Sequence, residues 1–231
     1  MGKAEFDRHA ASYRAVHAAN IAVTGEAPEY FAEYKMRDFA ALAMSLGAPP
    51  TGHYLDFGCG VGNSIAPFRA HLPGATLLAA DVSAESLSKV VETRGNAVQT
   101  VLTDGTRLPL ADGVLDGAFA CCVFHHIPHD HHPAALTELR RVLKPGAPLM
   151  VYEHNPLNPL TVRAVNTCPL DENAVLIRGW HMRAQFQAAG FQSARLDYRV
   201  FFPSALSGLR GLEDRLRWLP LGAQYFVVGR A

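Results

Sequence analysis

The 231-residue chain has no net charge, because 21 Lys and Arg are balanced by 21 Asp and Glu. Proteins that grip nucleic-acid phosphates usually carry a basic excess, so the balance argues against a nucleic-acid partner. No stretch approaches the roughly 20 apolar residues of a membrane-spanning helix. The opening "MGKAEFDRHAASYRAVHAAN" lacks the apolar run of a secretory signal. The sixth residue of "MGKAEF" is Phe, where a myristoylation signal wants Ser or Thr. The cytoplasm is the expected compartment. Cysteine is scarce, and Cys59, Cys121, Cys122 and Cys168 show no C-x-x-C spacing, which removes the usual zinc and dithiol motifs. Adjacent Cys121 and Cys122, on an expected strand, would point to opposite faces and serve as small buried hydrophobes. Internal repeats and low-complexity segments are absent too. With 49% hydrophobic and 18% charged residues, the chain reads as one globular domain with a full core.

Strand and helix signals alternate along it. The runs "HYLDFG", "ATLLAADVS", "AVQTVLTDG", "GVLDGAFACCVFHHI" and "APLMVYEHN" read as strands. Between them lie helical stretches: "NSIAPFRAHL", with an expected kink at Pro67; "AESLSKVVETRG", ending at Gly95; and "HPAALTELRRVLKPG", stopped by Lys144-Pro145-Gly146. This alternation predicts parallel βαβ units in a doubly wound α/β sheet covered on both faces. Residues 1–50 read as a helical cap outside the sheet, 51–155 as the core, and 156–231 as an insertion followed by a terminal β-hairpin. The hairpin strands are "SARLDYRVFF" and "GAQYFVVGR", and their connector sets Leu206, Leu209, Leu212 and Leu216 on one helical face, expected to pack on the sheet. Tyr30, Phe31 and Tyr34 in the cap read as packing residues or as part of a lid.

The most informative stretch is "YLDFGCGVGN", where Gly58, Gly60 and Gly62 follow the first strand. A turn there sits at the carboxyl edge of the sheet, where such folds bind ligands. Asp81 ends the second strand at about the 20-residue separation from the loop at which an acid meets a ribose. Asp104 and Gly105 follow the third, where a carboxylate can accept from an adenine amino group. Three successive strand ends thus favour an adenosine-containing ligand. The dinucleotide fingerprint G-x-G-x-x-G fails, because Asn63 stands where the third glycine belongs. Asp56, just ahead of the loop, would repel a pyrophosphate and welcome an ammonium group.

In order and spacing, "LDFGCGVG", "AADVS", "TDGTRLPLADGVLDGAFACCVFHHI" and "ALTELRRVLKPGAPLMVYEHN" resemble the motifs of class I S-adenosylmethionine-dependent methyltransferases. The likeness covers about Tyr54 to Asn155. It implies a seven-stranded, mostly parallel sheet whose last strand is antiparallel, and S-adenosyl-L-methionine as cofactor. By that resemblance Asp56, Gly58, Gly60 and Gly62, with Cys59 among them, surround the methionine part. Asp81 holds the ribose, Val82 packs on adenine, and Asp104 with Gly105 meets the adenine edge. Cys121 and Cys122 offer backbone near the cofactor amino group. "FDRHAASY", ending at Tyr13, resembles a segment that closes over the cofactor in relatives.

On the acceptor side, "FHHIPHDHHP" supplies His125, His126, His129, His131 and His132. Their spacing lacks the i, i+4 helical pair of an H-E-x-x-H zinc site, so no metal is expected. His126 is a candidate pocket base. Glu153, His154 and Asn155 should stand at the crevice mouth; Glu153 or His154 is either a base or a local organiser of the loop. Asp171 and Glu172 read as exposed or capping. The expected activity is methyl transfer to a small-molecule or carbohydrate-like acceptor, O-methylation preferred, with N- and C-methylation open. An inactive cofactor-binding regulator is the alternative from another class.

Overall fold

The computed structural model describes residues 13–94 and 98–231. "FDRHAASY" therefore lies outside the described residues up to Ser12, as do the side chain of Tyr13 and Gly95. In chain order the elements begin with α1 (Tyr13–Ile21), α2 (Pro28–Ser45), β1 (His53–Phe57), α3 (Ile65–His71), β2 (Thr76–Asp81), α4 (Ala84–Arg94) and β3 (Gln99–Leu102). They continue with β4 (Gly117–Cys121), α5 (His132–Val142), β5 (Pro148–His154), α6 (Pro159–Thr167), α7 (Gly179–Ala188), β6 (Gln192–Arg199), α8 (Glu213–Leu216) and β7 (Gln224–Arg230).

Strands that are apolar on both faces need cover on both faces. β1, β4 and β5 are such strands, and they occupy the middle of one sheet in the order β3-β2-β1-β4-β5-β7-β6. The mostly exposed β3 forms one edge. β7 runs antiparallel to β5 and β6, while the β1–β2, β1–β4, β2–β3 and β4–β5 pairs are parallel. Side-chain alternation divides the core into two layers. On one face Tyr54, Ala79, Phe119 and Tyr152 pack with Phe39 of α2, Phe68 of α3 and Val90 of α4. On the other, Leu55, Ala80, Ala118 and Val151 meet Leu136 and Leu139 of α5 and Phe186 of α7.

Two local expectations give way. Pro67 does not kink α3, because it falls in the first turn, where a backbone N–H has no helical acceptor to lose. Leu206, Leu209 and Leu212 do not pack on the sheet; each is 44–49% exposed. Their segment is a 3-10 stretch, Ser204–Leu212, with a break at Leu206, so the spacing that would align them on an α-helical face is not kept. Glu213 anchors it instead, accepting a hydrogen bond from Phe201 N–H (3.0 Å).

The cap is fastened to the far end of the sheet by a buried ion pair, Asp38 with Arg199 of β6 (2.7 Å). Phe31 and Tyr34 are buried by this docking, and the Tyr34 hydroxyl donates to Gln224 Oε1. No helix among the described residues is long and apolar enough to cross a membrane.

Candidate active site

The carboxyl ends of β1, β2 and β4 open into a cavity of about 870 Å³. Its floor is the glycine loop. The N–H groups of Gly58 and Cys59 donate to Ala80 O (2.8 and 3.0 Å), which bends the chain back over β2. At Gly58 (φ +74°) a Cβ would strike Val123 at 2.6 Å. Gly60 differs: its φ is +51°, and a Cβ there would project into open space within the cavity wall. The first glycine therefore admits the chain past its neighbour, and the second leaves room for a ligand.

Asp81 braces this loop. Its Oδ2 accepts from Gly60 N–H (2.7 Å) and its Oδ1 from Ser83 N–H (2.9 Å). Asp56 stands beside it, only 1% exposed, and its Oδ2 has no hydrogen-bond partner. Burial first, and then the charge of Asp81, push the Asp56 carboxyl up to about 8. A buried acid without a cation is an incomplete arrangement; an ammonium group on a ligand would complete it. Val82 and Gly105 line the adjoining wall. Asp104 is exposed, and its Oδ1 accepts from Thr106 N–H, Thr106 Oγ1 and Arg107 N–H, a local turn that holds its carboxyl below the ordinary value.

At the end of β4 the expected alternation fails. Cys121 and Cys122 both line the cavity rather than facing opposite sides. The reason is backbone: Cys122 adopts φ +59°, which breaks the pleat. Lys35 Nζ of α2 lies 3.2 Å from Cys122 Sγ and Gln224 Nε2 3.8 Å from it. Burial alone would raise this thiol, but Lys35 and His154 bring it down to about 6. Burial raises Cys59, Cys121 and Cys168 instead.

Glu153 does not stand at the crevice mouth, and of the two roles open to it the organiser of the loop is the one its contacts fit. Alternation along β5 turns it away from the crevice mouth, and it is fully buried under the turn that follows β4. Its Oε1 accepts from Val123 N–H (3.0 Å) and Phe124 N–H (2.7 Å), and its Oε2 from His125 Nδ1–H (2.5 Å). Both its oxygens are engaged in shaping that turn. Asn155 is likewise buried, donating to Pro220 O and Gly222 O. His154, one residue from each, does line the cavity, as does His126. Burial lowers His126 below its ordinary value. Burial alone would lower His125 too, yet Glu153, with Asp171, lifts it to about 10.

Asp171 is neither exposed nor a cap. Its side chain is 12% exposed and faces His125 and His126. Lys35 and Gln224 were missed as well. The available signal was a lone Lys between Tyr34 and Met36 on the apolar side of a helix, and a Gln beginning the apolar run "QYFVVGR".

Residues 55–151 match the model of a methyltransferase domain family. Over those residues the chain carries a methyltransferase domain. It is 32% identical over 148 residues to a ribosomal RNA small subunit methyltransferase C from Ectopseudomonas mendocina, covering 61% of this chain and 45% of that protein. It is 32% identical over 136 residues to a malonyl-[acyl-carrier protein] O-methyltransferase from Herminiimonas arsenicoxydans, covering 58% and 50%. The match thus spans about half the length of these relatives. A crystal structure of a SAM-dependent methyltransferase from Archaeoglobus fulgidus shares the fold, with a TM-score of 0.67 at 12% identity over 89% of this chain and 95% of that one. The Asp56 carboxyl with its unpartnered Oδ2, the open side of Gly60 and the Asp81 carboxylate suit the methyltransferase cofactor, an amino acid joined through sulfur to a nucleoside.

Proposed function

We propose that the protein transfers a methyl group from S-adenosylmethionine to a small-molecule acceptor, with oxygen the preferred acceptor atom. The carrying observation is the continuity of one cavity. It runs from the glycine loop past Cys121 and Cys122 to His126 and His154, and it is walled by Phe31 and Lys35 of the cap and by Thr161, Cys168 and Leu170 of the insertion. Its volume is in the range of small-molecule sites, about 300–1,000 Å³, and suits a cofactor with a modest acceptor.

Asp56 and Asp81 would hold the amino-acid and ribose ends, Val82 and Gly105 the base. Bound there, S-adenosylmethionine would supply an activated methyl group, the carbon–sulfur electron pair returning to sulfur as the acceptor atom takes the carbon. The protein's share is to align the acceptor and exclude water, a contribution of about 7–11 kcal/mol in favourable cases. His154 is the group at the acceptor end that we assign to receive the acceptor's proton. Glu153 acts behind it, on the backbone.

Calorimetry with S-adenosylhomocysteine and NAD tests the cofactor assignment. Asp81→Ala should weaken S-adenosylhomocysteine by roughly 1–3 kcal/mol; NAD binding with no response to the sulfur ligand overturns the reading. Methyl-labelled cofactor incubated with separated cell-extract fractions tests the acceptor. Label in the small-molecule fraction is expected, and label confined to RNA would overturn that part.

A further inference from the structure

Behind the acceptor end of the cavity, two histidines and a carboxylate from separate parts of the chain converge. His125 and His126 sit on the 3-10 turn after β4, Phe124–His126, and Asp171 on the 3-10 turn Pro169–Asp171 of the insertion. The two segments are tied by a hydrogen bond from Val175 N–H to His125 O (2.8 Å). Both Nε2 atoms lie 3.5 Å from the same Asp171 Oδ1, and one donor atom from each residue falls within 4.8 Å of the other two. Among the described residues this is the group with metal-ligand geometry.

Three features favour an ion over a hydrogen-bonded cluster. First, 3.5 Å is long for a hydrogen bond, whose usual range is about 2.7–3.2 Å. Two ligands held about 2.0–2.1 Å from Zn²⁺ at the tetrahedral angle lie about 3.3–3.4 Å apart. Second, His125 is 1% exposed, and its Nε2 is buried without a hydrogen-bond partner. Its other nitrogen donates to Glu153, which points Nε2 at the Asp171 carboxylate. An incoming cation would displace the Nε2 proton and take both the nitrogen and the carboxylate oxygen as ligands. Third, a carboxylate orienting a ligand histidine through its far nitrogen is the recurrent support of zinc sites, and Glu153 stands in that relation to His125. We propose that His125, His126 and Asp171 bind one Zn²⁺ ion, with the fourth position open to the cavity that all three residues line. The histidine spacing concealed the site because its third ligand comes from the insertion.

Binding of the ion stands apart from the methyl-transfer reading. Its use in orienting and polarising an acceptor oxygen rests on that reading. The test is uptake of Zn²⁺, by calorimetry, and of Co²⁺, by visible absorption, on full-length protein treated with EDTA and dialysed. One equivalent is expected, with the intense bands of tetrahedral Co²⁺ and displacement by Zn²⁺. Affinity should fall by tenfold or more in Asp171→Asn and His126→Gln, and by about 10–100-fold in Glu153→Gln. The exposed neighbour His129 serves as a control, since His129→Ala should bind as wild type does. Circular dichroism melts identify any variant that fails to fold, and the wild-type stoichiometry decides without them. Less than a tenth of an equivalent bound to wild type, octahedral spectra only, or uptake unchanged in both Asp171→Asn and His126→Gln overturns the site. Calorimetry with S-adenosylhomocysteine on the same sample separates the two claims. Cofactor binding without the ion sinks only the metal site, and ion binding without cofactor sinks only the transfer reading.

Discussion

Asp56→Asn should stabilise the cofactor-free protein while weakening its grip on the cofactor. In the unfolded chain this carboxyl ionises near 3.8; in the fold, burial and Asp81 hold it protonated up to about 8. Between those values the unfolded state has lost a proton that the folded state keeps, so folding stability falls as pH rises and levels off above 8. At about 1.4 kcal/mol for each pH unit, the loss reaches roughly 4 kcal/mol by pH 7. An amide has no such ionisation. Asp56→Asn should therefore gain about 2–4 kcal/mol at pH 7–8, a Tm increase on the order of 5–10 °C for a chain of this size. The difference from wild type should shrink toward zero at pH 4. Cofactor binding should move the other way. Without the carboxylate, the charge-assisted bond to the ammonium group is lost, about 1.5–3 kcal/mol or ten- to hundredfold in Kd for S-adenosylhomocysteine. In wild type below pH 8, binding should release a proton, visible as a dependence of the calorimetric heat on buffer ionisation enthalpy. Thermal melts from pH 4 to 9 with parallel titrations check all of this. Equal or lower Tm at pH 8 together with unchanged affinity would refute the assignment of Asp56 as an acid held ready for a cation.

Alkylation should single out Cys122. At pH 7 iodoacetamide should label it ahead of Cys59, Cys121 and Cys168, with a rate that rises through about pH 6 in wild type and through a higher pH in Lys35→Met; first labelling at Cys121 by peptide mass spectrometry contradicts the Lys35 pairing. Glu153→Gln should lower Tm by about 5–10 °C, since it loosens a buried charge that holds two backbone N–H groups and an imidazole. The shape of its pH–rate profile should stay that of wild type; loss of a limb would restore Glu153 as the base.

The core of the fold was legible because its signals are local. Apolar runs long enough for buried strands, punctuated by Gly and by helix-stop residues such as Lys144-Pro145-Gly146, yield the same elements wherever they sit in space. The glycine loop and Asp56 could be read for a related reason. The backbone chemistry of "DFGCGVG" is set by neighbours in sequence, and the loop's location follows from the βαβ rule. Where local periodicity broke, the reading failed. Cys122 left the strand's alternation by one left-handed residue, and the leucines of the last connector lost their common face to 3-10 geometry.

The sequence by itself determined the sheet, the cofactor end of the crevice and the family likeness, since each is encoded in contiguous segments. Tertiary structure alone decided the chemistry at the other end. Glu153 was turned inward by its place on β5, Lys35 was brought to Cys122 by the docking of α2, and Asp171 was carried to His125 and His126 by the insertion. Such meetings depend on how remote segments pack, and no spacing along the chain records them.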